Sequence, residues 1–196
     1  MRLWRSSVCT LALAAVGCAA PTSPTTAPTI TPTRPLVLAG QSNAVNVAPY
    51  LRAVYPLPVL SDSTQNGRSI LSWSPTETPP VLWPVLAAEL REPVQAFVWW
   101  QGESDRGSTT YLADDTALVA RVRAENGNAQ LLVVMIRILD LPQNAGVRAT
   151  QERVVAADPY AVLVSSDGPA FQDGATDHLT PAGYQAVAQR ILAALR

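Results

Sequence analysis

Lysine is absent from this 196-residue sequence, so all 14 basic residues are arginines, and against 15 acidic residues they leave a formal net charge of -1. That balance provides no electrostatic footprint for nucleic acid or an anionic membrane surface. Cysteine is nearly absent too. The only two, Cys9 and Cys18, fall in the first eighteen residues, so a domain beginning after them can hold no intramolecular disulfide. No apolar run reaches the length of a membrane span. The longest near the start, Val8 to Val16, is broken by Cys9 and Thr10 and is too short to cross a bilayer. Histidine occurs once, as His178, so any chemistry needing an imidazole must use that residue. The full sequence is 48% hydrophobic, enough to build one compact core.

The first residues read as processing signals rather than fold. Arg2 and Arg5 precede the short apolar stretch, the pattern of a secretory signal peptide over residues 1–18. It ends in Ala15-Val16-Gly17-Cys18, which resembles a bacterial lipobox, with Cys18 as the lipidated residue. Plain cleavage near Ala20 is the alternative. The chain is thus expected to be exported, either as a membrane-anchored lipoprotein or as a secreted protein. Residues 19–35 are rich in Pro and Thr without apolar periodicity, so they read as an extended linker. At about 3.1 Å per residue it would reach on the order of 50 Å.

From residue 36 to 196, two patterns alternate. Short apolar runs at Leu36–Ala39, Pro58–Leu60, Val94–Trp100, Leu131–Ile138 and Ala161–Val164 read as strands. Helical spacing follows at Val81–Arg91, Thr110–Glu125, Ala145–Ala157 and Pro181–Arg196. Continuous rather than alternating apolar strands predict a parallel sheet covered on both faces. The size suits a flavodoxin-like α/β/α sandwich of about five strands, whose ligands bind at the carboxyl edge.

The loops after the strands therefore hold the candidate chemistry. After the first strand comes Gly40-Gln41-Ser42-Asn43, in which Ser42 is either a helix cap or an exposed nucleophile. After the second, Gly67 is a turn glycine or a backbone N–H donor to a reacting carbonyl. After the third, Gln101 ends the apolar run of Phe97–Trp100, where its amide could donate to an oxyanion. His178 precedes a helix start marked by Thr180 and Pro181. It is the one base available to Ser42.

Taken together, Gly40-Gln41-Ser42-Asn43, Gly67 with Ser69-Ile70 and Trp73, Trp100-Gln101-Gly102-Glu103-Ser104-Asp105, and His178-Leu179-Thr180-Pro181-Ala182-Gly183-Tyr184 resemble the blocks of SGNH (GDSL-type) hydrolases. They are most similar to the sialate O-acetylesterase and carbohydrate esterase family 6 group. The resemblance implies a flavodoxin-like fold, no metal, no organic cofactor, and removal of acetyl groups from sugar esters. It implies Ser42 as nucleophile and His178 as base. The oxyanion would be held by the N–H groups of Ser42 and Gly67 and the side chain of Gln101. The partners expected are an acetylated carbohydrate or other small ester, a membrane through the lipid anchor only, and no nucleic acid.

One departure stands out. The family places an aspartate three residues before the histidine, and that position here is Ala175. Three carboxylates could replace it: Asp177, Glu103 and Asp173. The reading favours Asp177. Two other functions compete with the acetylesterase: an SGNH lipase, thioesterase or arylesterase, and a carbohydrate-binding surface lipoprotein whose catalytic apparatus has decayed.

Overall fold

The computed structural model describes residues 32–171 and 177–195. The leader, Cys18, most of the linker, and positions Asp173 and Ala175 lie outside the described residues. Five parallel strands form one sheet: β1 (Leu36–Gly40), β2 (Val59–Leu60), β3 (Ala96–Trp100), β4 (Leu132–Arg137) and β5 (Ala161–Ser165). Their order is β2-β1-β3-β4-β5, the flavodoxin-like arrangement expected from the sequence. β1 and β3 pair along their whole length, Leu36 with Ala96 through Gly40 with Trp100. Every residue of both strands is buried. That accounts for their unbroken apolar character, since helices cover both faces.

The helices are α1 (Ser42–Val54), α2 (Trp83–Leu90), α3 (Tyr111–Asn126), α4 (Ala145–Ala156) and α5 (Pro181–Ala194). α1 packs on α5, while α3 packs on both α2 and α4. These are the two covering layers. α5 begins where the residue types require: Thr180 Oγ1 accepts from Gly183 N at 3.2 Å, with Pro181 in the first turn.

α1 is the element that the apolar spacing does not reveal. Pro49 lies inside it, and an interior proline normally breaks a helix. The helix continues because its buried side, Ala44, Val47, Ala48 and Leu51, is part of the central core. Pro49 itself is exposed.

Parallel strands place all the connecting loops that begin a helix at the carboxyl edge. The described ends lie at the opposite, amino edge. Residue 35 leads into β1, where Pro35 accepts from Gln95 N at 2.8 Å, and α5 runs back from the carboxyl edge to residue 195.

Candidate active site

β1 stops at Gly40 because the backbone there must come very close to β3. Gly40 has φ 137°, and a Cβ on it would lie 2.0 Å from the Trp100 carbonyl oxygen. Gln41 N donates to that same oxygen at 3.1 Å. The chain then turns directly into α1 with Ser42 as its first residue. Gln41 occupies the cap position, and no side-chain bond caps the helix. Ser42 is therefore not spent on capping. It is half-buried and faces a cavity of about 450 Å³ lined also by Gln41, Gly67, Glu103, Asp177 and His178.

His178 reaches the same cavity from the loop before α5. That loop is fastened on either side of the imidazole. Asn43 Nδ2 donates to the Asp177 carbonyl at 3.0 Å, and Leu179 N donates to Tyr184 Oη at 3.3 Å. Tyr184 Oη in turn donates to Asn43 Oδ1 at 2.7 Å. His178 Nε2 is buried and has no hydrogen-bond partner among the described residues. On the other side of the ring, Nδ1 lies 3.7 Å from Asp177 Oδ1. Asp177 Oδ2 lies 3.6 Å from Arg106 Nη2.

Of the carboxylates considered from sequence, Asp177 is thus beside the ring. Asp173 lies outside the described residues. Glu103 turns its Oε1 to Asn43 Nδ2 at 2.7 Å rather than to the imidazole. Its burial pushes the carboxyl up to about 7. It works one step back, holding the asparagine that holds the histidine loop.

The Gly67 loop is tied to the same edge. Gln65 N donates to Gly40 O at 3.0 Å, and Trp73 Nε1 donates to Ser63 O at 2.8 Å. Gly67 has φ 65°, a conformation that glycine adopts without steric cost.

The structure places Gln101, expected as an oxyanion donor, beneath the cavity wall rather than on it. It is fully buried, and it is not among the residues lining the cavity. Its amide nitrogen is directed to Asp105 Oδ2, to Arg68 O at 3.1 Å and to Gln41 Oε1 at 3.5 Å. Asp105 Oδ2 also accepts from Ile70 N at 2.9 Å, so the pair braces the Gly67 loop. The amide that does line the cavity belongs to Gln41. Its Oε1 is held by Ser104 N at 3.2 Å and by Gln101, which leaves its N–H groups for the site. The sequence offered one signal for this, an amide directly before the serine.

The cavity thus gathers a serine hydroxyl, an imidazole nitrogen without a partner among the described residues, and N–H donors. These are the parts that acyl transfer uses. Among the described residues, no three His, Cys, Asp or Glu side chains are placed to hold a metal ion.

A family model described as carbohydrate esterase, sialic acid-specific acetylesterase matches residues 60–196. Solved structures share the fold at low identity. A protein from Arabidopsis thaliana is 15% identical with a TM-score of 0.68, over 84% of this chain and 98% of that one. A carbohydrate acetylesterase from Xanthomonas citri is 21% identical with a TM-score of 0.56, over 76% of this chain. This chain spans 39% of the Xanthomonas protein. A lipase/acylhydrolase from Enterococcus faecalis is 14% identical with a TM-score of 0.60, over 83% of this chain and 95% of that one. No curated protein matches the chain.

Proposed function

The chain belongs to the sialic acid-specific acetylesterase family of carbohydrate esterases, and from that premise we propose that it removes O-acetyl groups from carbohydrate through an acyl-Ser42 intermediate. His178 Nε2 takes the proton of Ser42 as Oγ attacks the ester carbonyl, then returns it to the departing sugar hydroxyl. Water, activated by the same nitrogen, releases acetate from Ser42 in the second step. The oxyanion is held by the N–H groups of Ser42 and Gly67 and by the Gln41 amide. The Ser42 N–H belongs to the first turn of α1, where backbone donors have no intrahelical partner. Asp177 orients the imidazole and stabilises it when it carries the proton.

The observation that carries this reading is the buried His178 Nε2, without a partner among the described residues, in a cavity shared with Ser42 and Gln41. The other SGNH activities are disfavoured by the same lining. Glu103, Arg106 and Asp177 suit a hydroxyl-rich substrate better than a long acyl chain.

The leader and the Pro/Thr-rich residues 19–35 support a further part of the proposal: export, with Cys18 as a lipid anchor.

One labelling experiment tests the chemistry. A fluorophosphonate probe should modify wild-type protein at Ser42 and leave Ser42→Ala unmodified. Asp177→Asn should be labelled more slowly, by up to about ten-thousand-fold if the wrong tautomer is enforced. Labelling of Ser42→Ala at the wild-type rate would defeat the assignment. An inert wild type would favour the decayed binding protein instead.

A further inference from the structure

A second cavity of about 320 Å³ opens beside the first, and Asn46 lines both. It is bounded by Val45, Pro49 and Tyr50 of α1 and by Pro181 and Tyr184 of α5. Its character is unlike that of the catalytic cavity. No charged side chain lines it, whereas Glu103, Arg106, Asp177 and His178 line its neighbour.

The spacing along α1 links the two. Ser42 and Asn46 are one turn apart on the same face, about 6 Å at 1.5 Å per residue. Tyr50 lies one turn further, about 12 Å from Ser42 along the axis. A molecule held with its ester at Ser42 and continuing along the helix would cross Asn46 and arrive at Tyr50.

The second cavity is also furnished for a ligand with an apolar face and a hydroxyl rim. The Tyr50 ring is stacked on Tyr184 at 6.3 Å with an interplanar angle of 16°, so its orientation is set in advance. Asn46 Nδ2 is committed to Tyr184 Oη at 3.0 Å, and its Oδ1 has no partner among the described residues. Pro49 has no N–H, so the Val45 carbonyl loses the donor that a helix normally supplies four residues on. Two acceptors thus accompany an aromatic ring and two prolines.

We infer that this ledge is a sugar subsite for an uncharged pyranose ring adjacent to the acetylated one, so that the preferred substrate is an ester of a di- or oligosaccharide. This rests on the carbohydrate esterase reading of Ser42. The ring contributes equally to ground-state and transition-state binding, so its effect falls on KM rather than kcat.

The test compares 4-nitrophenyl acetate, mono-O-acetyl glucose, and the mono-O-acetyl esters of cellobiose and maltose as substrates of the wild-type enzyme. At least one disaccharide ester should exceed the glucose ester by about tenfold in kcat/KM, through KM, as expected for one added ring contact. Tyr50→Ala should erase that ratio and Tyr50→Phe should keep it. Equal kcat/KM for mono- and disaccharide esters, or a ratio that survives Tyr50→Ala, overturns the subsite while leaving the esterase reading intact. Hydrolysis of the aryl acetate with no turnover of any sugar ester overturns the carbohydrate reading and the subsite with it.

Discussion

Gln101 and Gln41 are both almost wholly buried, and what separates them is which groups take their amide hydrogens. Gln101 gives its hydrogens to Asp105, Arg68 O and Gln41, while Gln41 accepts from Ser104 N and Gln101 through Oε1. Gln41→Leu should therefore lower kcat by roughly 10²–10³ with little change in KM, the usual loss for one oxyanion donor. Gln101→Leu should show mainly in unfolding. It removes one of the donors to the buried Asp105 carboxylate and the Gln101 donor to the Arg68 carbonyl, at a cost of about 1–3 kcal/mol. Denaturant unfolding beside steady-state kinetics of both variants checks this. Full kcat in Gln41→Leu, with loss confined to Gln101→Leu at unchanged stability, would return the oxyanion role to Gln101. The sequence could not decide between them. Both amides follow strands that end at the same edge, and the acceptors that claim Gln101 come from residues 41, 68 and 105, which only the folded chain brings together.

Elements differed in how plainly they were written. α5 carries its own start signal in Thr180 and Pro181, and β1 and β3 show their double-sided burial as unbroken apolar runs. α1 was obscured by Pro49, because tertiary packing of its inner face outweighs the local cost of the proline. β2 forms only two residues of strand, Val59 and Leu60, and the short apolar run Pro58–Leu60 was enough to mark it. α3 raises a separate matter. It carries Asp115 into the core, fully buried beside the Trp99 indole, and burial pushes its carboxyl up to about 7 from 3.8. Glu103 is shifted the same way, from 4.5 to about 7, by burial. In both cases the unfolded state binds fewer protons than the folded state across that interval, so stability falls as pH rises through it. Asp167, after β5, has the opposite sign. Its hydrogen bond from Arg148 holds it down at about 2, a contribution present above 3.8 and lost as pH falls toward 2. Thermal unfolding against pH should show Asp115→Asn gaining on wild type from about pH 4 to 7. Asp167→Asn should flatten the acid limb between about pH 4 and 2. A gap between Asp115→Asn and wild type that does not change with pH would contradict the first expectation.

At the scale of the whole molecule, the candidate site and the ends of the described segment, residues 35 and 195, occupy opposite edges of the sheet. The site lies at the carboxyl edge, where α1 and α5 begin, and residues 35 and 195 lie at the amino edge. The proposed anchor at Cys18 would attach to the amino edge through residues 19–35. Cell fractionation tests the anchor: wild-type protein should sediment with membranes, and Cys18→Ser should be recovered as soluble protein with its kcat unaltered. Soluble wild type starting near Ala19 or Pro21 would indicate simple secretion. An anchor at Cys18, as proposed, would thus hold the protein from the edge opposite the cavity that holds Ser42 and His178. Carbohydrate chains could then approach the Ser42 cavity from the side away from the support. The same polarity suits immobilisation on a bead through the N-terminal segment, which leaves the approach to Ser42 unobstructed.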